Sequence, residues 1–120
     1  MSLIKVDYGD VGGGLSELIP PTDITVSNKT FSASWTGNAK SVLVCVGLTN
    51  TWHSLIFGVG NTTDFWYCFG TNATWQKLTF SGTGYSGSIT PTSINITTNA
   101  AVNSGNIIIV PLASDYPVSM

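Results

Sequence analysis

The residue pairs and clusters in this chain that could do chemistry are few. His53 is the only histidine, and Ser54 follows it directly. Nucleophilic catalysis needs a serine hydrogen-bonded to a histidine that a carboxylate in turn orients. Neighbours on a strand point to opposite faces, so His53 and Ser54 cannot form that pair, and the chain has no Gly-x-Ser-x-Gly elbow. Glycoside hydrolysis needs two carboxylates about 5–10 Å apart across the bond. Here the only glutamate is Glu17, and Asp7, Asp10, Asp23, Asp64 and Asp115 are dispersed at turn-like positions. Cys45, Cys68 and His53 fall short of the four ligands of a structural zinc site. The Asp7–Asp10 segment lacks the ligand spacing of a calcium loop. The glycine run is not followed by the Lys-Ser/Thr of a phosphate cradle. No catalytic residue, metal site or cofactor is expected, and the enzyme reading ranks last.

What remains are surfaces, above all tryptophans. Residues 64–70 and 73–80 read as a hairpin about Thr71 and Asn72, with opposed residue numbers summing to 143. Phe65 then faces Leu78 on the core side, and Tyr67 faces Gln76. On the other side Trp66 faces Lys77 and Cys68 faces Trp75. Cross-strand and diagonal neighbours interact, so Trp66, Trp75 and Lys77 gather on one outward face, with Lys77 over the Trp66 ring as a cation–π pair. Trp52 and His53 fall at a loop-to-strand junction. Together Trp52, His53, Trp66, Trp75 and Lys77 are the candidate ligand-binding residues. Flat rings rimmed by Asn61, Asn72, Asp64 or His53 would suit a sugar; burial of the same rings under a strand or a second subunit is the competing reading. Trp35, in phase with Phe31 and Ala33, reads as core.

Composition narrows the function classes further. Charged residues make up 8% of 120 residues, with four lysines, no arginine and a net charge of −2, against roughly 25% in an average domain. Scattered lysines cannot neutralise a phosphate backbone, so no nucleic-acid partner is expected. Mean hydropathy is +0.26 and hydrophobic residues reach 42%, which excludes the low-hydrophobicity, high-charge signature of disorder. The longest apolar run, 41–48, is strand-length, well short of the ~18 residues of a membrane helix, so no membrane insertion is expected. The first residues carry no signal-peptide pattern. Synthesis in a cytoplasm is therefore expected, with the two cysteines as free, buried thiols rather than a disulfide.

The elements that must position these side chains are strands. Segments 23–27 and 30–36 alternate apolar and polar. Residues 41–49 are apolar on both faces, and 52–59, 64–70, 73–81, 88–90, 92–98 and 106–113 follow, separated by Gly, Asn, Thr and Pro, with a Gly/Ser-rich bridge at 81–88. Short strands with turn signals every 8–12 residues indicate an all-β sandwich. We expect an antiparallel, jelly-roll-like sandwich of about eight strands over residues 22–120. Residues 1–21 differ: 3–8 is a possible short strand, Gly12, Gly13 and Gly14 make a hinge, and Pro20-Pro21 is a stiff spacer. They read as an arm, with Ile4, Val6, Tyr8 and the three glycines as its assembly contacts; a merely frayed terminus is the competing reading.

Residues 4–14, IKVDYGDVGGG, resemble the start of small phage and prophage structural proteins of Firmicutes. The aromatic-rich β-meander, the 81–88 bridge and the apolar 107–110 strand resemble them more loosely. The resemblance implies a virion protein of the tail-fibre, baseplate-tip, capsid-fibre or decoration type, β-rich, trimeric and non-enzymatic. Other virion proteins would bind residues 1–21, and a host cell-surface glycan or protein would bind the displayed loops. The family has no active-site residues to carry over. A neutral Ser/Thr/Asn/Gly surface, which loses little side-chain entropy on packing, agrees with that reading. The alternative is a free-standing carbohydrate-binding module.

Overall fold

Alternation of apolar and short polar residues sets the local structure from the first strand onward. In the computed structural model, which describes residues 18–48, 51–69, 74–102 and 107–115, nine strands and one helical turn follow in order among the described residues. They are β1 (Ile24–Ser27), β2 (Thr30–Ser34), β3 (Ser41–Leu48), β4 (Thr51–Gly58), β5 (Asp64–Phe69), β6 (Gln76–Thr79), α1 (Phe80–Thr83), β7 (Ser86–Thr90), β8 (Ser93–Thr97) and β9 (Ile107–Leu112). They form two antiparallel sheets, one of four strands in the order β1-β2-β8-β7 and one of five in the order β6-β5-β4-β3-β9. The all-β sandwich is therefore present, with nine strands.

The core lies between the sheets. Phe31, Ile89, Ile94 and Ile96 of the four-stranded sheet meet Val42, Val44, Val46, Leu55, Phe57, Phe65 and Ile109 of the five-stranded one. Phe65 is central: its ring lies 5.2 Å from Phe57, 5.1 Å edge-on from Phe80 and 5.1 Å stacked on Tyr85. Such pairs add to the burial of each ring itself. β3 sits between β4 and β9 and is buried on both faces: Val42, Val44 and Val46 point to the core, Leu43 and Cys45 the other way. The continuous apolar run at 41–48 reflects this position.

Three details differ from the reading of the sequence. The strand placed at 73–81 ends at Thr79, and the chain turns through α1. Thr79 Oγ1 caps this turn by accepting from Gly82 N at 3.0 Å, and Gly84 closes it at φ 78°. A single turn is too short to show a helical period; hydroxyl capping, not an amphipathic stripe, defines it. The 81–88 bridge is accordingly packed: Phe80 and Tyr85 are buried and β7 begins at Ser86. Finally, residues 18–21, counted with the arm, lie against the body. Leu18 N donates to Pro111 O at 3.0 Å, and Ile19, Pro20 and Pro21 line a hollow beside Trp35. The remainder of the arm, with Ile4, Val6, Tyr8, Gly12, Gly13 and Gly14, lies outside the described residues.

One glycine is required by close approach. Gly87 has φ 142°, and a Cβ there would stand 2.0 Å from Asn95 O on the paired strand. Gly87→Ala therefore forces β7 off β8, and we expect a stability loss of about 2 kcal/mol or more in urea denaturation. A change within about 0.5 kcal/mol, the range of ordinary surface substitutions, would show that the edge strand yields.

Candidate functional site

The β5–β6 register places Trp66 opposite Lys77 and Phe65 opposite Leu78, the pairing expected from the sequence. Residues 70–73, which join these strands, lie outside the described residues. Lys77 Nζ stands 5.8 Å from the Trp66 ring centroid, and also 3.6 Å from Asp64 Oδ2. Lys77 is 53% exposed, so the ion pair contributes little and serves to hold the ammonium over the ring. Along the same face Ile56 pairs with Trp66 and with Leu43, and Trp52 stands opposite Gly47. Trp52, Trp66, Trp75 and Val110, all half-buried, pack against Leu43, Cys45, Ile56 and Leu112. Three of the candidate tryptophans are thus brought together, as members of an apolar cluster rather than as a free-standing platform.

His53 does not join them. It shares the inner face with Leu55, while Trp52 and Ser54 point outward. Its Nδ1 is 2.8 Å from the Tyr67 hydroxyl, the two rings lie 5.7 Å apart, and both residues are half-buried. Burial lowers the His53 pKa and raises that of Tyr67, the latter with a smaller contribution from Cys68. The sequence grouped Trp52 and His53 because they are adjacent; strand alternation sends them to opposite faces.

Cys45 and Cys68 are not joined in a disulfide and are buried on the outer face, in one row with Ser54 between them. Two strand spacings put their Cα atoms about 9–10 Å apart, beyond the ~7 Å limit of a disulfide. Burial raises both thiol pKa values, and a hydrogen bond to Ser54 partly offsets this at Cys45. Among the described residues no three His, Cys, Asp or Glu side chains come together, and no helix is long and apolar enough to cross a membrane.

The second surface is the outer face of the four-stranded sheet, and the sequence reading did not single it out. Register aligns Thr25, Ser32, Asn95 and Ser88 in one row and Ser27, Thr30, Thr97 and Ser86 in the next. A third row holds Ser34, Ser93 and Thr90. Every outward position on these strands is a hydroxyl or an amide. Some hydroxyls pair with each other, Thr30 with Thr97 at 2.9 Å and Thr90 with Ser93 at 2.7 Å. A groove of about 390 Å³ runs over Asp23, Thr25, Ser32, Ser34, Ser93 and Asn95. At Ser34 it meets a hollow of about 240 Å³ walled by Trp35, Pro20 and Pro21. Trp35 Nε1 donates to Pro91 O at 2.9 Å, which fixes the indole beside the core. The signal in the sequence was the identity of the polar half of each alternating strand.

Comparison with family models, with curated proteins and with solved structures finds no match to this chain.

The His53–Tyr67 contact gives a pH prediction. A histidine whose folded pKa lies below the unfolded value of about 6.5 binds protons more readily once unfolded. Folding stability is then fully present above that value and is lost as pH falls below it. The urea midpoint should drop between pH 7.5 and pH 5, and His53→Gln should flatten the drop. Parallel profiles for the two proteins would contradict a half-buried histidine whose pKa is lowered by burial.

Proposed function

We propose that this protein is a non-enzymatic virion structural component that displays its β-sandwich and assembles with copies of itself, most simply as a trimer, through the hydroxyl-bearing sheet. The observation that carries this reading is the outer face of β1-β2-β8-β7, where every outward side chain of the strands is Ser, Thr or Asn. Such side chains are short and already held by the sheet, so packing them loses little conformational entropy. They can exchange hydrogen bonds with an identical face at close range and carry no charge that must be desolvated. The resemblance of residues 4–14 to phage structural proteins gives the setting, and display of the sandwich to a host-surface glycan or protein is the task that follows from it.

A second reading, a carbohydrate-binding module, draws on the groove. Asp23 and Asn95 offer a carboxylate and an amide beside ranked hydroxyls, next to the half-buried Trp35. Polar groups of this kind at fixed spacing fit a neutral polyhydroxylated ligand. This site differs from the tryptophan cluster, where the rings are engaged with Leu43, Ile56 and Leu112.

Light scattering on the eluted peak of a size-exclusion column separates the two readings. The assembly reading expects a trimer, and Ser32→Lys, which sets a charge in the middle of the grid, should give a folded monomer. A monomeric wild-type chain that binds on a glycan array, with binding lost in Asp23→Asn and Trp35→Ala, would overturn assembly in favour of sugar binding.

A further inference from the structure

A strand at the edge of a sheet offers a row of backbone N–H and C=O groups that can pair with another chain, and natural edges are guarded against this. Among the described residues the two sheets end on β1, β7, β6 and β9. Three of these carry a guard. Ile89 O on β7 accepts from Gly60 N at 2.8 Å, β6 holds the exposed Lys77, and β9 contains Pro111, whose carbonyl accepts from Leu18 N. β1 has none: Ile24–Ser27 holds no proline and no charge, and its first three residues are β-branched. The phase of the bonding fixes which of its backbone groups are open. Trp35 N donates to Thr92 O and Thr98 N to Lys29 O, so the odd-numbered residues of β2 turn to β8, while Thr30 and Ser32 turn to β1. Their partners Ser27 and Thr25 therefore bond to β2. Ile24 and Val26 alternate with these and direct N–H and C=O away from the sheet, where no backbone bond among the described residues meets them.

We infer that β1 is a second contact between copies of this chain, formed by antiparallel pairing with β1 of another copy about a twofold axis through Thr25. The strand is complementary to itself in that register. Ile24 stands opposite Val26 of the second copy, and Val26 opposite its Ile24. In both pairs the open backbone groups face each other, so each pair exchanges two hydrogen bonds. Thr25 meets Thr25 of the second copy at the non-hydrogen-bonded position, where side chains approach most closely and Thr–Thr pairs are favourable. No like charges are opposed, since Asp23, the nearest charge, falls opposite Ser27. The two faces continue across the axis as well. Ile24 and Val26 are half-buried against the core and extend its apolar side, while Thr25 and Ser27 are exposed and extend the hydroxyl rows. The four-stranded sheets of two copies thus join into one. This edge is separate from the hydroxyl face, so it links assemblies built through that face and does not depend on it.

An edge contact of this size is weak, so it shows with concentration. Amide hydrogen exchange in the full-length chain reads it residue by residue. In the Ser32→Lys chain, which removes the face contact, exchange at Ile24 and Val26 should slow at least about fivefold from about 10 µM to about 1 mM, a range that populates contacts of sub-millimolar affinity. Thr25 and Ser27, bonded to β2, should exchange slowly at both concentrations. Adding Ile24→Pro deletes an outward N–H that β2 does not use, at the first residue of a strand, where proline is tolerated. The Val26 rate should then be independent of concentration. Equal rates at the two concentrations for Ile24 and Val26 in the Ser32→Lys chain would overturn the inference; if both rates are slow, another part of the same chain covers the edge. Slowing at Val26 that persists with Ile24→Pro would assign it to the face and equally overturn it. Should the double variant fail to fold, the Ser32→Lys series decides. Because that series lacks the face contact, its result reports on the edge alone, whatever the mass of the wild-type assembly.

Discussion

The structure depends on burying both faces of one sheet. β3 and β4 form the centre of the five-stranded sheet and carry large apolar residues on either side: Val42, Val44, Leu55 and Phe57 toward the core, Leu43 and Ile56 away from it. Each such side chain contributes about 1.5–3 kcal/mol when it leaves water, so neither face can be left open. One face is closed by the four-stranded sheet. On the other, the indoles of Trp52, Trp66 and Trp75 pack against Leu43, Cys45, Ile56 and Leu112.

This requirement divides the surface. Apolar capacity is concentrated in the five-stranded sheet and its tryptophans, which leaves the four-stranded sheet to face outward with hydroxyls and amides alone. Lys77 and Asp64 meet at the rim of the apolar cluster. A surface of this kind neither steers charged ligands nor resists close approach of a like surface. On the proposed reading, association through short, pre-ordered polar groups is the use of this face, and the groove at Asp23 and Asn95 is where a neutral ligand would find the same groups.

Much of the fold was legible because alternation is a local signal. The β5–β6 register followed from placing a two-residue turn at Thr71 and Asn72, and it carried Lys77 to Trp66. The two-faced burial of β3 followed from an unbroken apolar run. Other features were not legible, for identifiable reasons. The pairings β2–β8 and β3–β9 join residues 59 to 71 positions apart, and nothing local records them. α1 rests on the Thr79 cap in a four-residue turn, too short for a period. Trp52 and His53 were grouped by adjacency although the same alternation that placed Trp66 separates them. The hydroxyl grid stood in the sequence as the polar half of four strands; only the register showed that those halves line up.

The central claim is that the hydroxyl-bearing outer face of β1-β2-β8-β7 is an interface between copies of this chain. Shielding of that face from a soluble paramagnetic probe in the full-length protein tests it most directly. The account predicts that Ser32, Asn95 and Thr97 are shielded in the associated protein and become accessible on dilution. Full accessibility of that face at every concentration would contradict it.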